Sequence, residues 1–156
     1  MKRPDSAYVA RVPLFDRLTD LDPLAPSEPQ PLRALTRAQL LDSIHRELSA
    51  LLNTRCPIPV TELLERPRSV IDYGLTELTW VGPMAPEDRA RLALLIERAV
   101  AAFEPRLRAA RVQIGEYDQA AGSLLCEIEA ELVTETLREA VSFPIAMSNA
   151  RGRQNG

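Results

Sequence analysis

The sequence holds three sets of residues whose types and spacing bear on chemistry. They are Glu104-Pro105-Arg106 within "AAFEPRLRAARVQI", the alternate glutamates Glu127, Glu129 and Glu131, and the isolated His45, Cys56 and Cys126. Glu104 with one of the strand glutamates would supply the two carboxyl groups that glycoside hydrolysis requires at a defined separation. The competing reading of the three glutamates is the solvated face of a half-buried strand. Glu104 and Arg106 have two readings of their own. A surface ion pair across the proline contributes about 0–1 kcal/mol. Alternatively, the proline fixes the backbone so that both charges project into a protein partner through charge-assisted hydrogen bonds at low ordering cost. The residues alone do not choose. His45 is the only histidine and has no nearby second ligand, so it reads as a boundary residue of a helix rather than a base. The two cysteines lack metal or redox spacing and read as reduced, buried small hydrophobes. With six glycines and no phosphate-binding loop, no cofactor is expected.

The elements that must position these residues follow from periodicity. Pro23, Pro26, Pro29 and Pro31 exclude regular helix, so residues 1–33 read as an extended proline-rich arm, part of whose apolar content packs on the domain or a partner. Thr36 with Gln39 forms a capping box, followed by the stripe Leu41, Ile44, Leu48, Leu51 and Leu52 of a first helix. Pro57, Pro59 and Pro67 leave room only for short helical turns, one capped by Ser69 with Asp72 and ended by Gly74. Trp80 reads as a loop anchor. Pro86 opens the main helix, with Glu87 and Asp88 at its positive end, and Leu92, Leu95, Ile96, Ala99, Val100 and Phe103 as its stripe. That helix stops at Glu104-Pro105-Arg106. From Arg111 the period changes to two, giving strands through Val112 and Ile114, through Leu124 to Leu132, and through Leu137, Val141, Phe143 and Ile145. Pro144 demotes the third to a sheet edge. The expected fold class is α+β: two main helices and short helical turns on a small antiparallel sheet, over residues 34–146, with a polar tail at 147–156.

The chain has 156 residues, 46% apolar, which suits one domain with one core. Its net charge of −3 is spread along the sequence, which argues against nucleic acid and against a polybasic membrane patch. All basic residues except Lys2 are arginines, consistent with interface chemistry or with biased base composition. No segment has the length of a membrane span, and the chain reads as cytoplasmic without membrane insertion.

The ordered set "PLFDRLTD", "LLNTR", "RSVIDYGL", "PEDRARL", "FEPRL", "IEAEL" and "VSF", over about residues 13–143, resembles the TssE family of type VI secretion baseplate subunits. That family is related to a phage baseplate wedge protein labelled lysozyme-like. The resemblance implies a structural protein, not an enzyme. It implies that Glu104, Pro105 and Arg106 dock onto the wedge core of TssF and TssG, within an assembly that includes TssK at the cytoplasmic face of the inner membrane. It also implies that the strand region templates the TssB/TssC sheath, with Val141, Phe143 and Ile145 as the sheath-facing edge. The family pattern has a further strand where this chain offers "NARGRQNG". The alternatives are a peptidoglycan hydrolase and a cytoplasmic adaptor.

Overall fold

The computed structural model describes residues 8–12, 34–76 and 84–148. Trp80, the proline run of the arm and residues 149–156 lie outside the described residues. In chain order the elements are β1 (Tyr8–Arg11), β2 (Ala34–Thr36), α1 (Arg37–Asn53), β3 (Arg55–Cys56), α2 (Val60–Glu65), a 3-10 turn (Val70–Asp72), β4 (Leu75–Thr76), α3 (Pro86–Phe103), β5 (Leu107–Asp118), β6 (Ser123–Val133) and β7 (Arg138–Ser148). This is the expected α+β arrangement.

The α1 start follows its sequence signal. Thr36 accepts from the Gln39 N–H and the Gln39 side chain accepts from the Thr36 N–H, which satisfies two donors the first turn would otherwise leave unpaired. Leu40, Ile44, Leu48, Leu51 and Leu52 then bury one face, so the stripe begins one residue earlier than Leu41. In α3, Pro86 takes the first turn, and Leu92, Leu95, Ile96, Ala99 and Val100 are buried. Both helices cover one face of the antiparallel sheet β5-β6-β7. Leu124, Cys126, Ile128, Ala130 and Leu132 of β6 and Phe143, Ile145 and Met147 of β7 fill that face. Burial of each large aliphatic side chain contributes about 1.5–3 kcal/mol relative to exposure. Cys56, Leu63 and Leu95 make a smaller cluster under α2.

Three features differ from the expectations. The tail boundary is too early: β7 continues to Ser148, and Met147 is buried opposite Leu124 because the strand alternation does not stop at residue 146. β5 begins at Leu107, ahead of Arg111, because a register shift between Arg108 and Arg111, with Ala109 at φ 51°, breaks the period of two. The third feature had no sequence signal. β3 and β4 form a two-residue parallel pair, closed where Gly74, at φ 105°, passes the Thr54 carbonyl. In the arm, β1 pairs with β2, Val12 is buried, and Thr134 and Thr136 hydroxyls both donate to the Val9 carbonyl.

Candidate functional site

Glu104 caps α3, and its N–H continues the helical ladder to the Val100 carbonyl at 2.8 Å. Pro105 then turns the chain, and β5 starts two residues later. This i, i+2 geometry puts the Glu104 carboxylate and the Arg106 guanidinium on the same side. Arg106 Nε donates to Glu104 Oε1 at 2.7 Å and Nη2 to Oε2, a forked pair, while the Arg106 N–H also donates to Oε1 at 3.2 Å. From α1, Glu47 Oε2 accepts from Arg106 Nη2 at 2.9 Å and Ser43 Oγ lies 3.5 Å from Nη1. Glu104 is only 2% exposed, and the Arg106 side chain 18%. Burial lowers the Arg106 pKa, but Glu104 and Glu47 outweigh it and hold the guanidinium above its ordinary value.

Neither expectation for the pair fits as stated. The two charges face each other and α1 instead of projecting outward, and Glu104 is not on the surface. The physical reason is that a carboxylate buried at a helix end must be paired, and the nearest cation is across the proline. Pro105 itself is exposed. Arg106 forms one wall of a cavity of about 390 Å³ between β1 and the β6–β7 turn, with Val9, Ala10, Val133 and Thr136 among its lining. The α1 partners Ser43 and Glu47 were missed from the sequence. Their only signal was a polar i, i+4 pair beside the buried stripe.

A second brace lies in residues 66–74. Arg66 Nη1 and Nη2 each donate to the Asp72 carboxylate at 2.8 Å, and the Ser69 N–H donates to Asp72 Oδ2 at 2.8 Å. The Asp72 carboxyl is held well below the usual carboxylate range by Arg66 first, then by Ser69. Arg68 stands over the Phe103 ring at 5.6 Å, Tyr73 meets the same ring edge-on, and Arg68 Nη2 donates to the Gly74 carbonyl at 3.0 Å. Its Nε and Nη1 have no partner among the described residues, and burial lowers its pKa. The turn displays Val70 and Ile71, 86% and 77% exposed.

The strand candidates divide. β7 is an edge of the sheet, with Pro144 in it, as its missing donor requires. Phe143 and Ile145, however, are 4% and 1% exposed, and Val141 is half-buried against the core. Alternation sends these odd-numbered side chains inward, so what the edge offers is backbone and not the three expected side chains. His45 is exposed and its Nε2 meets the Pro144 carbonyl at 3.3 Å. Glu127, Glu129 and Glu131 lie on the outer face of the sheet, opposite Gln113, Arg111 and Arg108 of β5. Glu104 is on the other side, tied to Arg106, so the structure does not bring it together with a strand glutamate. Cys56 and Cys126 are both free and buried, and burial pushes the Cys126 thiol up to about 12. Among the described residues no helix is long and apolar enough to cross a membrane.

Taken together, the charged residues described above act mainly as struts in a small α+β domain, and the β7 edge and the Val70–Ile71 turn are available for contacts among the described residues. The chain belongs to the family described as baseplate wedge protein gp25, whose profile matches residues 38–136. Solved structures similar to this chain include the following two. One is a protein of Geobacter sulfurreducens provisionally described as a tail lysozyme, with TM-score 0.49 and 19% identity over 75% of this chain and 99% of that one. The other belongs to the baseplate complex from the type VI secretion system, with TM-score 0.48 and 16% identity over 72% of this chain and 97% of that one. No curated protein matches the chain.

Proposed function

We propose that this protein is a structural baseplate subunit of a type VI secretion apparatus, at the cytoplasmic face of the inner membrane, that docks on the wedge core and starts sheath polymerisation. Membership of the baseplate wedge family carries the reading. In it, Pro105 and the accessible part of Arg106 contact the TssF–TssG core, within an assembly that includes TssK. Glu104 is a positioning residue that holds the guanidinium from behind, so the docking group is ordered before binding. The edge of β7 supplies unpaired backbone groups on which a strand of the TssB/TssC sheath is added. The motif is thus a strut and a contact at once. That differs from two charges reaching freely into a partner.

The protein works without hydrolysing glycan. The buried forked pair supports this, since both oxygens of the Glu104 carboxylate are engaged by Arg106 and the group is closed off from a substrate. Reconstitution of the TssF–TssG core with purified protein tests the proposal: stable co-elution is expected, and a failure to bind accompanied by turnover of purified peptidoglycan would replace it with the hydrolase reading.

A further inference from the structure

The outer edge of β7 is covered over only half its length. β6 pairs with β7 without a bulge from Ser123↔Ser148 to Val133↔Arg138, so the N–H and C=O groups of alternate β7 residues face outward along the whole strand. Contacts from α1 identify which residues these are. His45 Nε2 donates to the Pro144 carbonyl at 3.3 Å, Asn53 Nδ2 donates to the Ala146 carbonyl at 3.1 Å, and Asn53 Oδ1 accepts from the Ser148 N–H at 2.9 Å. By parity the outward set also includes Arg138, Ala140 and Ser142.

One Asn53 carboxamide therefore donates to one residue of the edge and accepts from the next outward one, as the backbone of a neighbouring strand would. Pro144 has no N–H to offer a partner. Between Arg138 and Ser142, in contrast, no side chain among the described residues bonds the outward backbone. There α1 reaches β7 through side chains, with Arg37 Nε donating to the Glu139 carboxylate at 2.8 Å, and leaves the outward backbone uncovered. A cleft of about 370 Å³ opens between Leu41, Asp42 and His45 on one side and Val141, Ser142 and Phe143 on the other.

We infer that β7 accepts an added strand only along residues 138–142, and that His45, Pro144 and Asn53 form a stop that fixes where that strand ends. The inference rests on the strand-addition reading above. It adds the register, because a stop prevents a partner from sliding along an otherwise uniform edge, and it keeps the covered half of the edge from pairing with a second copy of the chain. The fitting partner is an extended segment with an apolar side chain that enters the cleft between Leu41 and Phe143, followed by a cation for Asp42.

Amide exchange in the isolated protein, read residue by residue, tests the stop. In the wild type the Ser148 N–H should exchange slowly and the Ala140 and Ser142 N–H groups fast. Asn53→Ala should speed Ser148 by up to about tenfold, the worth of one hydrogen bond, with Ala140 and Ser142 unchanged. Fast exchange of Ser148 in the wild type overturns the stop without any variant. Slow exchange of Ala140 and Ser142 in the free monomer instead sinks the strand-addition reading itself, so the two failures are distinguishable. Sedimentation adds a second readout. The His45→Ala, Asn53→Ala protein should self-associate as its concentration rises, and adding Ala146→Pro, which repeats the geometry already tolerated at Pro144, should return it to monomer. A double variant that stays monomeric at every concentration, or an association that Ala146→Pro leaves intact, overturns the stop.

Discussion

Two of the arginine–carboxylate braces among the described residues share a forked chemistry but differ in where they sit. In one, Arg106 grips Glu104 and Glu47 where α1, α3 and the start of β5 meet. In the other, Arg66 grips Asp72 within a single short loop. Asp72 is fully covered, yet its cover is its own turn and one arginine near the surface, whereas Glu104 sits at a junction of core elements. The first brace joins distant parts of the chain, whereas Arg66 pairs only with residues close to it in sequence, Asp72 and Glu62. Depth and sequence separation, not hydrogen-bond count, should therefore decide what each contributes. A global brace stabilises the fold; a local one orders a surface, here the turn that presents Val70 and Ile71.

The largest effect should come from breaking the deep brace. Arg106→Ala leaves Glu104 buried and uncompensated, which typically costs about 3–5 kcal/mol, a large share of a domain's stability. Denaturant unfolding measures it. Replacing both residues, Glu104→Leu with Arg106→Leu, should recover much of the loss, because the buried charge is removed together with its partner and Glu47 is 45% exposed. If the double variant is as unstable as Arg106→Ala, the brace contributes through shape and not through charge.

Next in size is Gly74→Ala, which tests how firmly the loop is tied to the core. Its Cβ would lie 2.5 Å from the Thr54 carbonyl oxygen, at a φ of 105° that alanine avoids. A cost of about 1–3 kcal/mol is expected from the strained backbone alone. A melting temperature within a degree or two of wild type would show that the loop shifts freely and is not anchored at β3–β4.

A smaller and local effect is expected from Asp72→Asn. The turn should become protease-sensitive with little change in global unfolding. Acid should mimic it, and the sign follows from the pKa. Asp72 is depressed in the folded state by Arg66, so its contribution is complete above the unfolded carboxylate value of about 3.9. It is lost as pH falls below that, toward the folded value. Cleavage within residues 66–74 that begins only with global unfolding would contradict the local assignment. The smallest change is Ala109→Gly. Relief of the φ of 51° at the β5 bulge should offset glycine's extra unfolded-state entropy and leave stability within about 1 kcal/mol of wild type.

These contrasts also explain what was legible in the sequence. Helix ends with a local chemical signal, Thr36 with Gln39 and Pro86, were readable because capping involves residues a turn apart. The inward set of β6 was readable from strict alternation. The β5 start was hidden by a bulge at two alanines, residues that carry no turn signature. The β3–β4 pairing was hidden because each strand is two residues long. The Glu104–Arg106 motif could be located, but its direction could not. Whether a charge faces solvent or a helix 60 residues earlier depends on tertiary packing, and Ser43 and Glu47 gave no pattern tying them to Arg106. The same holds for Phe143 and Ile145. An edge strand exposes backbone on one side while its alternate side chains remain core, and calling residues edge-facing conflates the two.

The most direct test of the proposed function is the affinity of Arg106→Lys for the TssF–TssG core, measured alongside its melting temperature. Lysine keeps a charge for Glu104 and Glu47 but loses the fork. If Arg106 both braces the junction and docks, folded Arg106→Lys should bind at least about tenfold more weakly, corresponding to roughly 1.4 kcal/mol. Wild-type affinity in the folded variant, with only the melting temperature lowered, would make the motif a brace alone and place the docking surface elsewhere.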